Sequence, residues 1–496
     1  MVRAMHHRDV ALVISARYVL PIEPRSDLVL DDHAVVVDTA GRIVELLDRA
    51  EAWDKYGAEW PAVGDGGVRS GNGDDVKVEV SSPKCPHIEF VHLPDHALMP
   101  GFVNAHTHTG MALMRGMADD EALFAWLQDI WKVEGRFTSQ PSFCYDGAYL
   151  SAAEMIRNGT TCFADMYWDP DEAVAATTRA GLRALIGLIC IGFPSHFAKD
   201  EDGYITRGLQ TLEKHKHEPL VRFAWSPHAP YTVSDATLKR LSDLSERDNI
   251  PYHIHLHETS EECDASEQLN RDSGACHKSD FLGRPVANLE RLGILNSRML
   301  AAHMVHLTDD EIQLVAARNV NVVHCPTSNL KLASGFCRTV DLVRAGVNVA
   351  LGTDSVCSNN SLDIFEEMKM AALLGKTLAK SPSSLPAHIA LKMATLNGAI
   401  ALGMQDLIGS LVPGKMCDMI GVELGTRAGT SPIFNPISTL VYAASHEDVK
   451  EVWVGGRRLL RKGKYVDVDM NALLERNRFW TEKINDFRNS QPATTH

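Results

Sequence analysis

The sequence predicts a (β/α)8 barrel with a small β-sandwich that is built from both ends of the chain. Three observations support this fold class. Short apolar strands alternate eight times with longer helical segments across the middle of the chain, polar side chains follow several of these strands, and both flanking regions are short-stranded and rich in turns. Eight such βα units fit a closed barrel better than a doubly wound open sheet.

Residues 99–404 are predicted to form a catalytic barrel, and residues 1–98 together with 405–496 a composite β-sandwich domain. Residues 61–86 are rich in glycine and polar side chains and predict a flexible insertion in that second domain. Apolar runs bounded by polar turns mark its strands. The predicted strands are Val10–Ala16, Ala34–Asp38, Ile43–Leu47, Val449–Val454 and Arg457–Leu460.

The barrel strands are predicted from short apolar runs that end in polar or turn residues. They are Ala97–Asn104, Thr160–Asp165, Arg183–Cys190, Val221–Ser226, Pro251–His255, Met299–His303, Asn321–His324 and Val347–Asp354. Helical patterns lie between them, among them Cys144–Asn158, Asp171–Ala180, Asp235–Asp248 and Asp309–Arg318. The carboxyl ends of all strands in such a barrel open onto one face, where active sites are built.

The charge balance and the cysteine pattern exclude several classes of protein. The 496 residues carry 49 Lys and Arg against 64 Asp and Glu, a formal net charge of −15, whereas nonspecific nucleic-acid binding needs a basic surface. No apolar run reaches the length of a transmembrane helix, so no membrane partner is expected. The ten cysteines are scattered without a CxxC pair, which indicates reduced thiols and a cytoplasmic location.

Five side chains suited to metal binding or catalysis lie at predicted strand ends. His106 and His108 follow the first strand, His255 ends the fifth, His303 the sixth and Asp354 the eighth. They are therefore expected to converge on one mouth of the barrel. In the His-x-His pair both imidazoles point to the same side, because side chains of an extended strand repeat every two residues.

A catalytic divalent ion takes three or four nitrogen and oxygen ligands and keeps one position for water. The sequence predicts one such ion per subunit, zinc with iron as the alternative, bound by His106, His108, His255 and Asp354. A two-metal site normally has a bridging ligand, often a modified lysine, at the end of strand four. The corresponding segment, Phe223–Tyr231, contains no lysine.

The fifth strand offers three histidines of one parity, His253, His255 and His257, so alternation alone does not choose among them. We assign His255 to the metal because it lies at the predicted strand end. His253 would lie deeper in the barrel and His257 beyond the strand. His306 and His324 are weaker candidates, and His324 would line the mouth without binding metal.

Glu258, His303 and Asp354 are the predicted catalytic residues. Glu258 can take a proton from the attacking water and pass it to a substrate atom, while His303 orients or stabilises the nucleophile. Asp354 would accept a second proton while it ligates the metal. The alternative interpretation of Glu258 is a solvated carboxylate at a helix N-terminus.

Four segments around these residues carry motifs, namely Pro100-Gly-Phe-Val-Asn-Ala-His-Thr-His-Thr109, His255-Leu-His-Glu-Thr259, Val323-His-Cys-Pro-Thr-Ser-Asn-Leu-Lys-Leu332 and Leu351-Gly-Thr-Asp-Ser-Val-Cys-Ser-Asn-Asn360. Together they resemble the aminohydrolase branch of the amidohydrolase superfamily, over about residues 11–460. That branch includes triazine hydrolases and 5′-methylthioadenosine/S-adenosylhomocysteine deaminases. The resemblance implies the same ligand set and the same catalytic residues as the strand-end argument.

Members that deaminate methylthioadenosine resemble this chain in two further places. They place a Trp and then a Glu after the first barrel strand, which implies that Trp126 and Glu134 bind substrate here. Glu134 would accept hydrogen bonds from the ribose hydroxyls, since a carboxylate can accept from two O–H donors. A His after strand four implies that His228 contacts the nucleoside beside Glu258. Without the resemblance, Glu134 would be interpreted as a surface residue of a helix.

The chain departs from the family pattern after strand three. Some members carry arginines there that hold the amino-acid tail of S-adenosylhomocysteine, but Gly187–Phe197 contains none, and Arg207 does not align with the pattern. This departure favours a smaller and less polar 5′ group.

The resemblance implies hydrolytic deamination of an adenine nucleoside. The expected substrate is 5′-methylthioadenosine, which would give 5′-methylthioinosine and ammonia, with adenosine and S-adenosylhomocysteine as further candidates. The alternative is an s-triazine or guanine-type aminohydrolase or chlorohydrolase, and a second alternative is a non-catalytic binding protein with the same fold. The family also implies a homo-oligomer, dimer or tetramer.

Overall fold

The structure is a computed structural model, and it describes residues 9–57, 80–81, 87–264 and 283–491. The predicted insertion at 61–86 lies outside the described residues except for residues 80–81. In chain order the strands are β1 (Val10–Val19), β2 (Leu30–Asp38), β3 (Ile43–Asp48), β4 (Val80–Ser81), β5 (Glu89–Pro100), β6 (Phe102–Thr107), β7 (Thr160–Asp165), β8 (Arg183–Cys190), β9 (Val221–Pro227), β10 (Tyr252–Leu256), β11 (Met299–His303), β12 (Asn321–His324), β13 (Val349–Leu351), β14 (Met419–Glu423), β15 (Val449–Val454), β16 (Arg457–Arg461) and β17 (Lys464–Tyr465).

Helices connect and cover these strands. The described α-helices are Arg49–Tyr56, Leu123–Phe137, Phe143–Arg157, Pro170–Ala180, Glu201–His215, Asp235–Asp248, Ser260–Asp264, Pro285–Arg291, Asp309–Ala317, Pro326–Lys331, Thr339–Arg344, Ile364–Leu378, Ala387–Met393, Leu396–Ala401, Pro436–Tyr442 and Met470–Ser490. Short 3-10 helices span Thr109–Met114, Ala428–Thr430 and His446–Asp448. Within the described ranges, none of the helices combines the length and the apolar character that a membrane span requires.

Strands β6 to β13 form one parallel sheet in sequence order. An isolated parallel bridge between Thr107 and Asp354 joins the two edges of this sheet, and the Asp354 amide donates to the His106 carbonyl at 3.0 Å. The eight strands therefore form a nearly closed barrel, which confirms the predicted fold class. Six of the predicted barrel strands agree with the observed strands to within one residue at each end.

Two predicted strand boundaries are wrong. The predicted strand Ala97–Asn104 spans two strands, because the chain leaves β5 of the second sheet at Pro100 and enters the barrel at Phe102. Gly101 makes this passage against Thr161, so closely that a Cβ atom there would lie 2.1 Å from a Thr161 methyl carbon. The last barrel strand covers only Val349–Leu351, and Asp354 lies beyond its end rather than within it.

The second sheet contains strands from both ends of the chain, as predicted. Its order is β17-β16-β15-β14-β5-β1-β2-β3, with β4 paired to β5. The junction of the two ends is the antiparallel pair β5 and β14, in which Leu98 opposes Gly421. The predicted hairpin also forms, and its turn residues Gly455 and Gly456 both have positive φ, which suits the tight turn between two antiparallel strands.

Alternation along the strands gives this second sheet two apolar faces. On β1, Leu12 and Ile14 belong to one buried cluster, which also contains Trp453. Val13 belongs to the other cluster, which is completed by Trp53 of the helix Arg49–Tyr56. Because successive side chains of a strand point to opposite faces, the apolar residues on both faces bury this sheet on both sides.

Candidate active site

The five side chains predicted at strand ends meet at the carboxyl end of the barrel. Asp354 Oδ1 lies 3.1 Å from His108 Nε2 and 3.3 Å from His106 Nε2, and His255 Nε2 lies 3.2 Å from His108 Nε2. One potential ligand atom from each of His106, His255, His303 and Asp354 lies within 4.8 Å of all the others. The structure therefore brings together all four predicted metal ligands and one predicted catalytic residue.

Hydrogen bonds on the far side of two rings leave their Nε2 atoms facing each other. His108 Nδ1 lies 2.5 Å from the Met166 carbonyl and His255 Nδ1 lies 2.7 Å from the His228 carbonyl. Because a carbonyl oxygen only accepts, each Nδ1 carries a hydrogen, and in a neutral ring Nε2 then carries a lone pair. Two such lone pairs at 3.2 Å repel unless a proton or a metal cation lies between them. Zn–N bonds of about 2.0–2.1 Å at tetrahedral angles place ligand atoms about 3.3 Å apart, which matches this cluster.

His106 adds an unsatisfied atom to the same cluster. Its Nδ1 lies 2.9 Å from His253 Nε2, while its buried Nε2 makes no hydrogen bond to any described residue. Buried polar atoms without a partner are rare, and a metal bond would satisfy this one. The donor set therefore fits a divalent cation. His253 is fully buried and contacts His106, which agrees with its expected place deeper in the barrel.

Asp354 is held by two serines that the sequence argument did not identify. Ser328 Oγ and Ser358 Oγ donate to Asp354 Oδ2 at 2.6 and 2.8 Å, which turns Oδ1 toward His106 and His108. Asp354 has a φ of +61°, and this left-handed conformation lifts the carboxylate over the barrel mouth. Strain of this kind at a non-glycine residue is typical of functional sites.

Burial sets the protonation states that metal binding requires. It lowers the pKa of His106 to about 4 and that of His255 well below the usual value, so both imidazoles are neutral at neutral pH. Burial by itself would raise the pKa of Asp354. Its contacts with His106 and His108 outweigh that effect and hold this pKa well below the usual range. Neutral imidazoles and an ionised carboxylate are the forms that bind metal.

Glu258 and His303 face each other beside this cluster. Glu258 Oε2 lies 3.9 Å from His303 Nε2, and both side chains are buried. His303 Nδ1 lies 2.9 Å from Asn329 Oδ1, which fixes the ring and leaves the Nε2 lone pair toward the cleft. Burial raises the pKa of Glu258, so this carboxyl group takes up a proton more readily than an exposed glutamate does.

A cleft opens over the cluster and encloses about 650 Å³, part of it open to solvent. Both polar and apolar side chains line it. The lining comprises His108, Met111, Leu123, Trp126, Leu127, Trp131, Glu134, Met166, Tyr167, Trp168, Ile189, Ile191, His228, Tyr231, His255, Glu258, His303, Leu332 and Asp354.

The four predicted substrate-binding residues, Trp126, Glu134, His228 and Glu258, all line this cleft. Trp126 and Glu134 come from the helix Leu123–Phe137, whose buried face points into the barrel mouth. Glu134 is 3% exposed, and its Oε1 has no hydrogen-bond partner among the described residues, nor has Trp126 Nε1. Burial raises the pKa of Glu134 to about 7. His228 Nδ1 lies 2.9 Å from Thr232 Oγ1. Glu134 is therefore not a surface helix residue.

Leu123, Leu127, Ile189 and Ile191 are apolar residues of the lining, which we call the apolar wall. Among the lining residues that the structure describes, none is an arginine or a lysine. Arg207 is exposed on the helix Glu201–His215, is not one of these lining residues, and donates to the Phe197 carbonyl at 2.7 Å. The described part of the lining therefore offers no cation for an anionic group.

The remaining histidines of the motifs have other partners. His257 lies beyond β10, as predicted, and accepts the Val286 N–H at Nε2 (3.0 Å). His306 Nε2 lies 2.6 Å from the Ser334 carbonyl. His324 is buried at the end of β12 but is not among the residues that line the cleft, so its expected place at the mouth is wrong.

Comparisons with known proteins agree with this arrangement. Residues 97–459 match the model of the amidohydrolase family. The chain is 40% identical over 397 residues to a 5-methylthioadenosine/S-adenosylhomocysteine deaminase of Teredinibacter turnerae, covering 80% of this chain and 87% of the relative. It is 41% identical over 384 residues to a 5'-deoxyadenosine deaminase of Methanothermobacter thermautotrophicus, covering 76% and 85%. A zinc-bound adenosine deaminase of Xanthomonas campestris superposes with a TM-score of 0.85 at 41% identity, covering 96% of this chain and 98% of the other.

Proposed function

The chain belongs to the amidohydrolase family, and we propose that it is a metal-dependent deaminase of adenine nucleosides whose principal substrate is 5′-methylthioadenosine. Relatives with deaminase names at about 40% identity support this reaction. One observation carries the choice of a nucleoside. A buried carboxylate, Glu134, presents an unpaired oxygen to the same cleft as the histidine cluster, where it suits the hydroxyls of a ribose.

We assign His106, His108, His255 and Asp354 as the metal ligands, and zinc as the metal. When bound, such an ion lowers the pKa of a coordinated water and supplies a nucleophile near neutral pH. The zinc-bound adenosine deaminase of Xanthomonas campestris supports this choice of metal. Glu258 and His303 line the same cleft as His108, His255 and Asp354, so a water bound to such an ion would be within their reach.

Glu258 transfers protons in the proposed reaction. Its carboxyl group takes a proton from the attacking water and gives it to N1 of the adenine ring. Oxygen adds at C6 and the ring carbon becomes tetrahedral. Asp354 takes the second water proton and returns it to the 6-amino group, which then leaves as ammonia. The net change replaces the amino group with oxygen.

His303 and His228 orient the reacting groups. His303 is held at Nδ1 by Asn329, so its Nε2 accepts a hydrogen bond from the nucleophile beside Glu258. Burial lowers the pKa of His228 to about 3, so its ring is neutral and contacts the nucleoside without adding charge. Trp126 contributes an aromatic surface and an unpaired indole N–H to the same wall.

The apolar wall supports a small 5′ substituent. A methylthio or methyl group would pack against Leu127, Ile189 and Ile191, whereas the described lining residues include no cation to pair the carboxylate of a zwitterionic homocysteine tail. We therefore propose 5′-methylthioadenosine and 5′-deoxyadenosine as better substrates than S-adenosylhomocysteine. An s-triazine would leave the buried Glu134 oxygen unpaired, which argues against the alternative substrate class.

Ammonia release from a substrate panel tests the function. Zinc-loaded protein is assayed with 5′-methylthioadenosine, 5′-deoxyadenosine, adenosine, S-adenosylhomocysteine, guanine and a chlorotriazine. We expect kcat/KM to be highest for the first two and at least about tenfold lower for S-adenosylhomocysteine, which corresponds to about 1.4 kcal/mol. Turnover of the triazine or guanine with none of the nucleosides would overturn the proposal.

The assembly, the compartment and the domain division are proposed on separate grounds. The buried thiols of residues such as Cys144, Cys162 and Cys325 support a reducing, cytoplasmic environment. A homodimer or homotetramer is proposed from the family resemblance. Sedimentation velocity of the purified chain tests this oligomeric state, with a monomer as the contrary outcome.

We retain residues 99–404 as the catalytic barrel and 1–98 with 405–496 as the second domain.

A further inference from the structure

Glu262 is buried next to the active site, and it has no role in the reaction steps proposed above. It lies in the short helix Ser260–Asp264, directly after the turn that carries Glu258. Its side chain is buried, and its two carboxylate oxygens accept the backbone N–H groups of His257 (3.0 Å) and Glu258 (2.7 Å). One carboxylate thus satisfies two consecutive main-chain donors beside a residue that transfers protons.

This turn needs stabilising contacts because His257 adopts a φ of +54°, a backbone conformation that residues other than glycine rarely take. Neighbouring segments hold the rest of this residue. The Val286 N–H donates to its Nε2 at 3.0 Å, its Nδ1 lies 3.1 Å from the His306 carbonyl, and its own carbonyl accepts the Val305 N–H at 2.8 Å. The N–H groups of residues 257 and 258 are left to Glu262.

The contacts of Glu262 differ from an ordinary helix cap. In a capping box, the carboxylate of the third helical residue accepts from the residue just before the helix. Here Thr259 Oγ1 accepts the Glu262 N–H at 3.2 Å, as in such a box, but the Glu262 carboxylate reaches past Thr259 to residues 257 and 258. The side chain therefore serves the preceding turn, whose carboxylate stands 3.9 Å from His303.

We propose that Glu262 is a positioning residue, which holds the backbone of Glu258 so that the Glu258 carboxyl group stays at the ring nitrogen of the substrate. The kinetic part of this inference rests on the proposed deaminase function. A displacement of about 1 Å in a reacting group can cost about 100-fold in rate. Loss of this support should therefore lower kcat rather than weaken substrate binding.

The test compares Glu262→Gln with Glu261→Gln in the full-length, zinc-loaded chain. The first substitution keeps the size of the side chain and one acceptor, but its amide turns an NH2 group toward one of the two N–H donors. Glu261 is the exposed neighbour on the same helix and gives the matched control. Four quantities are measured: kcat, KM for 5′-methylthioadenosine, bound zinc, and hydrogen–deuterium exchange of peptides that contain residues 257–258.

For Glu262→Gln we expect kcat to fall about 10- to 100-fold, KM to stay within about twofold and zinc content to stay unchanged. Exchange at residues 257–258 should become about tenfold faster, and Glu261→Gln should match the wild type in all four quantities. If Glu262→Gln does not fold, Glu262→Asp, which keeps the charge and shortens the side chain, replaces it in the same measurements.

Unchanged exchange at residues 257–258 would overturn the inference, whatever happens to kcat. Unchanged kcat with faster exchange would also overturn it, because the support would then have no bearing on Glu258. A wild-type enzyme that deaminates none of the nucleosides would defeat the proposed function. The exchange measurement would still decide whether Glu262 holds the turn.

Discussion

At the scale of single residues, the site is defined by which atom of each side chain already has a partner. His108 and His255 use their Nδ1 atoms on backbone carbonyls, so their Nε2 lone pairs converge. Asp354 uses Oδ2 on two serines and keeps Oδ1 for the histidines. These hydrogen bonds orient neutral imidazoles and an anionic carboxylate so that their remaining atoms can bind one cation.

Substitution of Glu134 tests the ribose contact. Glu134→Gln keeps the shape of the side chain but removes the charge and one acceptor, and a hydrogen bond to a charged group contributes about 1.5–3 kcal/mol. We expect kcat/KM for 5′-methylthioadenosine to fall about 10- to 100-fold. The same ratio measured with 2′,3′-dideoxyadenosine should change much less. An equal loss for both nucleosides would show that Glu134 does not bind the diol.

The residues that sequence patterns predict are those whose role follows from a strand end. His106, His108, His255, His303 and Asp354 all follow or end apolar strands, and the barrel geometry alone brings such positions to one mouth. The sequence could not predict Ser328, Ser358, Asn329 and Glu262 in the same way. Each of these side chains acts through a hydrogen bond made at a loop, and the spacing of polar and apolar residues in the sequence does not predict such a bond.

At the scale of elements, the 3-10 helix His446–Asp448 is joined to the start of the helix Ile364–Leu378 by an ion pair. His446 Nδ1 lies 2.7 Å from Asp363 Oδ2. This contact raises the pKa of His446, with Arg157 lowering it and Glu447 raising it by smaller amounts. The His446 ring is 43% exposed, so solvent screens the pair and its contribution to stability is modest.

This pair gives a pH-dependent prediction. Because the folded-state pKa of His446 is raised, its contribution to stability is fully present below the unfolded pKa of about 6.5 and is lost as pH rises through the folded pKa. His446→Gln should therefore lower Tm more at about pH 5.5 than at about pH 8.5. Thermal unfolding at both pH values measures the difference, with the exposed His217→Gln as the control. A larger effect at the higher pH would contradict the assigned pair.

Element boundaries could be predicted wherever a polar or turn residue ends an apolar run. The helix Asp235–Asp248 agrees with its prediction at both ends, since Ser234 caps its start and Asn249 ends it in a left-handed conformation. The passage from β5 to β6 has only one local signal, the Pro100-Gly101 dipeptide. The residues on both sides of it, Ala97–Met99 and Phe102–Val103, are apolar, so the segment resembles a single strand, and Gly101 divides it where it approaches Thr161.

At the scale of the whole molecule, one buried ion pair connects the barrel to the second sheet. Arg183 at the start of β8 donates to both carboxylate oxygens of Asp418, at 2.8 and 3.1 Å, and Asp418 also accepts the Gly455 N–H at 2.7 Å. Both side chains of the pair are buried. Asp418 directly precedes β14, at the place where the chain returns from the barrel to the sheet.

Removal of one partner from this pair should be costly. Asp418→Asn leaves the Arg183 charge buried without its counter-ion, and we expect the free energy of unfolding to fall by about 3–5 kcal/mol. Asp467→Asn breaks an exposed pair with Arg457 and should cost about 1 kcal/mol or less. Denaturant unfolding of the two variants measures both. Equal effects would mean that the buried pair does not hold the two parts together.

The joining of both chain ends in one sheet could be predicted from their shared strand-rich texture, but the packing of the last helix could not. The last helix spans Met470–Ser490. In the structure its Trp480 indole donates to Asp146 at 2.7 Å and its ring packs edge-on against Phe137, at the end of the helix that carries Glu134. This contact joins residues more than 300 positions apart, beyond the reach of any local pattern.

The central claim is that a metal held by the histidine cluster enables this chain to deaminate a nucleoside. The most direct test prepares the protein metal-free, adds zinc in steps, and measures bound zinc and 5′-methylthioadenosine turnover on each sample. We predict that turnover rises in proportion to bound zinc and reaches its maximum at one ion per chain. His255→Ala should bind less zinc and lose turnover. Full turnover in the metal-free protein, or one bound zinc per chain without any turnover, would contradict the account.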